Sequence, residues 1–391
     1  MKLTTSLLSL ALAAVGQAYS SGSASASATS FYPVKTAGLN ETVYEELEIY
    51  KPQVFIINMF SYEAEPFLEE FKLVHNVSIP GLSPIYPEIH CNHNYSLCEV
   101  ITGEGEINAA TTITALSLNP TFDLTDTYFL IAGIAGISPL EGTLGDVTFA
   151  RFAVQILEYE VDAREMPSNW STGYFSYGTT NSTQYPTEIY GTEVFEVNEN
   201  LRDRALELAQ SVDLLNGTKA NEEFRIKYDY APANRTPAAI ACDTLTSDNY
   251  WFGKDFDEAF ANYTDLLTNG TGTYCTTQQE DNATLEALMR AAQYGLVDFS
   301  RIVVMRSASD FTYADFYANE TVYFFTEVSQ GGSKVAVENL VVAGKPFIED
   351  VLYNWDLYEN GTVYAPSNYI GDFFGSLEDT TYREWGFDVS A

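Results

Sequence analysis

The sequence predicts an α/β fold: a central mostly parallel or mixed sheet wrapped by helices on both faces. Three observations predict it. Short apolar runs alternate with segments of helical periodicity along the chain. The runs are apolar at consecutive rather than alternate positions, as in strands covered on both faces. The 391 residues are 46% hydrophobic and 14% aromatic, enough for a large core. With no internal repeat and no composition break after residue 31, one decorated domain is the simplest organisation.

The elements follow in order. Val54 to Phe60 (VFIINMF) reads as a buried strand, and Glu65 to Val74 as a helix started by Pro66. Leu97 to Ile101 is a second strand and Ile107 to Leu118 a small-residue helix. Thr127 to Ala135 (TYFLIAGIA) is a buried strand before a Gly/Pro loop, and Asp146 to Gln155 a strand of partial alternation. Pro167 to Tyr190, rich in Ser, Thr, Gly and Tyr, reads as an insertion. Asn198 to Val212 is an amphipathic helix with Leu201, Ala205, Leu208, Ala209 and Val212 on its core face. Ala238 to Cys242 is a short strand; Phe256 to Leu267 and Asp281 to Tyr294 are helices. Arg301 to Ser309 (RIVVMRSAS) is the clearest buried strand, and Val335 to Trp355 a long helix. Ligands in such folds sit beyond the carboxyl ends of the strands. The loops that matter are therefore 61–65, 102–108, 133–145 and 307–315.

Charge narrows the partners. Nineteen Lys and Arg against 54 Asp and Glu leave a formal charge of −35, which repels phosphate backbones and anionic membrane surfaces. No nucleic-acid partner is expected. Residues 1–18 read as a secretory signal: Lys2, the apolar run Leu7 to Val15, then Gly16-Gln17-Ala18 as a cleavage site. Residues 19–31 form a Ser/Ala-rich linker, and 32–391 the single domain. Twelve of the 23 asparagines head Asn-x-Ser/Thr sequons, Asn282 among them, which agrees with a secreted glycoprotein. After the signal no apolar run reaches 18 residues, so no membrane span is expected.

Cys91, Cys98, Cys242 and Cys275 suggest two disulfides in an exported chain. Three pairings are possible, and the sequence-local one, Cys91–Cys98 with Cys242–Cys275, is preferred. Metal binding by Cys91 and Cys98 with His90 and His93 is the weaker alternative, because the spacing fits no zinc pattern. No metal and no cofactor is expected.

Standard machinery is missing. There is no Gly-x-Ser-x-Gly elbow and no phosphate-binding Gly-x4-Gly-Lys loop, and Asn108 stands where a dinucleotide loop starting at Gly103 needs its third glycine. Carboxylates at strand ends remain. Asp310 follows a buried strand directly, Glu65 follows the first strand's loop, and Glu280 and Asp281 open a helix, where the dipole favours anions. Together they offer a general acid and a general base, the pair that glycosidic hydrolysis needs.

Four strings carry a resemblance. Phe55-Ile-Ile-Asn-Met-Phe60, His90-Cys-Asn-His93, Gln278-Gln-Glu-Asp-Asn-Ala-Thr284 and Met305-Arg-Ser-Ala-Ser-Asp-Phe311 look like signatures of the fungal purine nucleoside permease family. Thr102-Gly-Glu-Gly-Glu-Ile-Asn108, Ala132-Gly-Ile-Ala-Gly-Ile-Ser138 and Leu144-Gly-Asp-Val147 extend the likeness to the nucleoside phosphorylase and nucleosidase superfamily.

The resemblance implies a nucleoside phosphorylase-like three-layer fold and a purine nucleoside ligand. It implies that Asp310, after Ser309, contacts the purine and protonates the leaving base, and that Glu65 positions water. It places the ribose hydroxyls on Glu280, Asp281 or the register position Asn282. Gly103, Ala135 and Gly136 match backbone positions lining the ligand, and Tyr159 or Phe152 are candidates to stack on the base. Superfamily phosphorylases carry an Arg before the Gly loop for phosphate. Here Ile131 and Ala132 precede Gly133 and Ile134 follows it, so water rather than phosphate is the expected acceptor. The expected activity is an extracellular purine nucleosidase; the alternative is a nucleoside-binding component of uptake, working with a separate membrane transporter. A homo-oligomer is left open.

Overall fold

The computed structural model describes residues 31–34, 43–46 and 49–372, except 171, 315, 318, 320 and 324–329. The predicted signal, and the predicted linker up to residue 30, lie outside the described residues. The chain divides into two units, Met1–Glu48 and Ile49–Ala391. In the first, β1 (Phe31–Val34) and β2 (Val43–Glu46) pair antiparallel, with Phe31 opposite Glu46. Everything that follows concerns the second.

Its centre is three parallel strands: β3 (Val54–Asn58), β7 (Tyr128–Ile137) and β16 (Ile302–Phe311). β7 lies between the other two, with Val54 and Ile302 opposite Tyr128 and Phe129. Beyond β3 come β6 (Leu97–Ile101), parallel to it, then β5 (Ile89–Cys91) and β4 (His75–Val77) as an antiparallel ribbon. Beyond β16 lie β8 (Val147–Ala150), antiparallel, and β13 (Ala239–Ala241). At the carboxyl end of β7, β15 (Tyr274–Gln278) joins antiparallel and leads to β14 (Asp243–Thr246), β9 (Phe152–Gln155) and β12 (Val194–Glu196). Twelve strands thus make one mixed sheet.

Period-2 alternation sends side chains to both faces. Val54, Ile56, Leu130 and Met305 face α1 (Ser61–Phe71), α3 (Glu199–Ala209) and α7 (Gly332–Tyr353), against Phe67, Leu201, Leu340 and Phe347. Phe55, Ile57, Phe129, Ile131 and Val304 face α2 (Glu106–Leu118) and α6 (Asp281–Ala292), against Ile113, Leu116, Leu285 and Leu288. Burying each such side chain contributes about 1.5–3 kcal/mol, and two covered faces explain why the strands read as continuous apolar runs. Both disulfides form in the preferred pairing, Cys91–Cys98 and Cys242–Cys275. That removes the thiolates the Cys/His metal alternative required.

Several elements differ from expectation, three of them in ways that bear on the architecture. The Asp146 to Gln155 strand is two, β8 and β9, broken at Arg151. The Arg151 and Phe152 amides both donate to Asp243 Oδ1 at 2.8 Å, so a carboxylate replaces the ladder there. The Asn198 to Val212 helix is α3 alone: Asn198 caps its start by accepting from the Asn200 and Leu201 amides, and Val212 lies beyond its end, exposed. The first helix, α1, starts at Ser61 rather than Pro66, and Pro66 lies inside it. That last shift relocates a functional acid.

Candidate functional site

A cavity of about 220 Å³ opens at the carboxyl ends of the central strands. All four loops singled out in the sequence reach it. Met59, Phe60 and Glu63 come from beyond β3, Glu104 from beyond β6, Ile134 to Gly136 from β7, and Ser309 and Asp310 from β16. Two further segments complete it: residues 247–251 after β14, and 277–280 at the end of β15.

Glu65 does not line the cavity; it is exposed on the outer face of α1. Because the helix begins at Ser61, its inward positions are Glu63, Ala64 and Phe67, the i, i+4 stripe with its neighbour. Glu63 is the acid in the cavity. Its Oε2 accepts from the Met59 amide at 2.8 Å and its Oε1 from the Ile134 amide at 2.7 Å, tying the ends of β3 and β7 together. Burial raises its pKa to about 8, against the opposing pull of Arg306 and the two amides.

Arg306 projects from the middle of β16 into this acid cluster and is fully buried. Its Nη2 lies 2.6 Å from Asp281 Oδ1 and 3.2 Å from Glu280 Oε2, and its Nη1 donates to the Ile134 carbonyl at 3.1 Å. Burial alone would lower its pKa; Asp281 and Glu280 outweigh that and hold it charged. Gly133 makes the room. A Cβ there would stand 2.5 Å from Arg306 Nη1, 2.8 Å from Met59 Sδ and 2.9 Å from Glu63 Oε1. β7 runs on to Ile137 instead of ending at Ala135 because Gly136 and Ile137 pair with both β15 and β16. Glu280 also accepts from the Gly105 amide at 2.9 Å, with its second oxygen on Arg306. Burial raises its pKa and Arg306 offsets part of the rise.

Asp310 also lines the cavity, at the end of β16. Tyr250 Oη donates to its Oδ2 at 2.6 Å, and Ser309 Oγ lies 2.7 Å from Oδ1 and 3.1 Å from the Ala135 carbonyl. Burial raises the Asp310 pKa, and the two hydroxyls pull it back. Gly136 lets the carboxyl approach: a Cβ there would be 3.3 Å from Asp310 Oδ2.

The remaining candidates divide. Ala135, Gly136, Glu280, Ser309 and Asp310 line the cavity. Asp281 lies behind it, committed to Arg306. Asn282 does not reach it: the side chain is buried, accepting from Thr246 Oγ1 at 2.8 Å and donating to the Thr192 carbonyl at 2.7 Å. Gly103 bends the loop at φ +86° without lining the cavity, which its neighbour Glu104 does. Phe152 is core and Tyr159 packs on Phe175 and Tyr177, so neither can stack on a ligand here. Phe60, Tyr250 and Trp251 supply the aromatic surface instead. Of the residues the sequence reading missed, Arg306 had a signal: a cation inside an apolar strand is buried only if paired. Glu63 and Tyr250 had none, since one depends on a helix start and the other on a loop's path. Among the described residues, no group of three or more His, Cys, Asp or Glu is arranged to hold a metal ion.

An acid-rich cleft at the strand carboxyl ends, walled by aromatics and holding one internally paired arginine, defines an α/β protein that binds a small polar molecule. The chain belongs to the purine nucleoside permease family, whose sequence profile matches residues 51–363. It is 53% identical over 334 residues to a purine nucleoside permease of Candida albicans (strain SC5314 / ATCC MYA-2876), covering 84% of this chain and 82% of that one. It is 43% identical over 323 residues to a probable purine nucleoside permease of Schizosaccharomyces pombe, covering 79% and 92%. Among solved structures it is similar to a 5'-methylthioadenosine/S-adenosylhomocysteine nucleosidase from Neisseria meningitidis, at TM-score 0.45 and 14% identity over 76% of this chain and 99% of that one. Futalosine hydrolase of Helicobacter pylori strain 26695 matches at TM-score 0.45 and 16% identity, over 77% and 98%.

Proposed function

We propose that this protein is an extracellular purine nucleosidase that hydrolyses the N-glycosidic bond with water. The observation that carries the reading is the presence of two buried carboxyls, Glu63 and Asp310, in one cavity. Glu63 stands beside Gly133 and Asp310 beside Gly136 of β7, and both acids line the cavity. A nucleoside fits between them with its base toward Asp310 and its sugar toward Glu63 and Glu280.

In this reading Asp310, whose pKa burial raises, donates a proton to the purine ring as the bond from C1′ to the base breaks. Positive charge builds on the sugar, and the acids around Arg306 stabilise it. A water held by Glu63 attacks C1′, and its proton passes to Glu63 in its ionised form, whose share grows as pH rises toward about 8. The products are free base and free ribose. Glu280 is the acceptor for the ribose hydroxyls.

Phosphate is disfavoured as acceptor. Arg306 is the one cation among the described residues lining the cavity, and Glu280 and Asp281 already neutralise it. Ile134 lines the wall where a phosphate-binding side chain would be needed. The names of the relatives support a second reading, nucleoside binding for uptake. No helix of the described residues is long and apolar enough to cross a membrane, so that role would call for a membrane partner.

Incubating the purified chain with adenosine, inosine and guanosine, with and without phosphate, separates the readings. Free base and ribose independent of phosphate support hydrolysis, with turnover abolished by Asp310→Asn. Ribose 1-phosphate formed only with phosphate overturns it. Bound but uncleaved nucleoside favours the uptake reading.

A further inference from the structure

The chain has three histidines, all on the β4–β5 ribbon and the turn after it, and none of them lines the cavity. His90 and Asn76 pair across the ribbon, with His90 Nδ1 3.0 Å from Asn76 Oδ1. His75 belongs to the other face, where its Nε2 lies 3.3 Å from His93 Nδ1.

We propose that His75 and His93 form a two-imidazole site for a divalent transition-metal ion of the zinc or copper type, with water completing the coordination. The spacing is the first argument. Two imidazole nitrogens each ~2.0–2.1 Å from a tetrahedral centre stand about 3.3–3.4 Å apart, and the observed separation is 3.3 Å. The same separation is long for an N–H hydrogen bond, whose usual length is about 2.9–3.0 Å, so the metal replaces a weak contact. Coordination needs only that each ring present an unprotonated nitrogen to the metal and carry its proton on the other.

Rigidity is the second argument. His75 is paired with Cys91 in the ribbon, and Cys91 is disulfide-bonded to Cys98 across the hairpin. The turn carrying His93 is fixed at both ends: the Asn92 amide donates to the Leu97 carbonyl at 2.9 Å, and the Asn92 side chain accepts from the Leu97 amide at 3.2 Å. Tyr95, at φ 57°, stacks on Tyr50 with ring centroids 4.0 Å apart and also meets His75. The backbone that carries the two rings is thus held before a metal arrives, which lowers the ordering cost of binding. Imidazole nitrogens select borderline metals over magnesium or calcium. The surrounding charge of −35 concentrates cations at the surface.

The test uses the full chain without a polyhistidine tag, stripped of metal and titrated calorimetrically with Zn²⁺, Cu²⁺ and Mg²⁺. One equivalent of Zn²⁺ or Cu²⁺ is expected, with Mg²⁺ inert. His75→Gln and His93→Gln should each weaken binding at least tenfold, and His90→Gln should leave it unchanged. Circular dichroism checks that each variant is folded, and electron paramagnetic resonance of the Cu²⁺ form should show two imidazole nitrogens. Absence of binding, equal binding by all variants, or coupling to a single nitrogen overturns the proposal. The result is independent of nucleoside turnover.

Discussion

Arg306 and Asp281 form a fully buried ion pair, Nη2 to Oδ1 at 2.6 Å, directly beneath the cavity. The pair links the middle of β16 to the first residue of α6. Its desolvation is repaid only while both partners are present, and Glu280 and the Ile134 carbonyl complete the guanidinium's bonds.

Asp281→Ala should therefore destabilise the fold by about 3–5 kcal/mol, the usual cost of leaving one buried charge unpaired. Chemical denaturation would read this as a lower midpoint at unchanged slope. A loss below about 1 kcal/mol would mean that Glu280 alone satisfies Arg306.

Glu63→Gln should lower nucleosidase kcat by about 10²–10⁴-fold, the range of a general base. Glu65→Gln, two residues away on the exposed face of α1, should leave both kcat and stability unchanged. If the two variants behave in the opposite way, the register of α1 argued above is wrong.

Tyr250→Phe removes a hydroxyl that favours ionised Asp310. The aspartate should then hold its proton to higher pH, and the limb of the kcat/KM profile that it governs should move up. The limb set by Glu63 near pH 8 should stay. A profile identical to that of the parent would remove Asp310 from the mechanism.

Glu99, in the centre of β6, is fully buried and neither carboxyl oxygen has a hydrogen-bond partner. Burial raises its pKa from 4.5 to about 8. The folded state therefore holds a proton that the unfolded chain releases: stability is greatest below about 4.5 and falls as pH rises through about 8. At about 1.4 kcal/mol per unit, the effect is a few kcal/mol. Glu99→Gln should flatten the dependence of Tm on pH between 5 and 9, and a parallel shift of the whole curve would refute this origin.

Much of the architecture was legible because it rests on local pattern. A strand covered on both faces has to be apolar throughout, and Val54 to Asn58 and Ile302 to Ala308 are apolar or small at nearly every position. The site was legible where function sits at a strand's end, as with Ser309 and Asp310. It was misplaced where side-chain direction depends on a helix start. With the helix read from Glu65, that acid closes the loop after the first strand; a helix starting at Ser61 takes Glu65 into its exposed face and turns Glu63 inward instead. Asn282 shows the same limit. Its sequon is visible in the sequence, but its burial comes from Thr192 and Thr246, distant in sequence, which leaves no room for a glycan.

The sequence by itself determined the layered α/β arrangement and the four loops that carry the cavity, and it favoured the disulfide pairing among three. These follow from hydrophobic period, chain proximity and the rule that strand ends hold ligands. Only the tertiary structure decided which acid serves. Glu63, Arg306, Asp281 and Tyr250 lie on four separate segments, and their charges and hydrogen bonds are set by neighbours up to 243 positions away, Glu63 and Arg306 being the widest pair. Burial and pairing at such separations depend on how strands and helices pack, which local sequence does not encode.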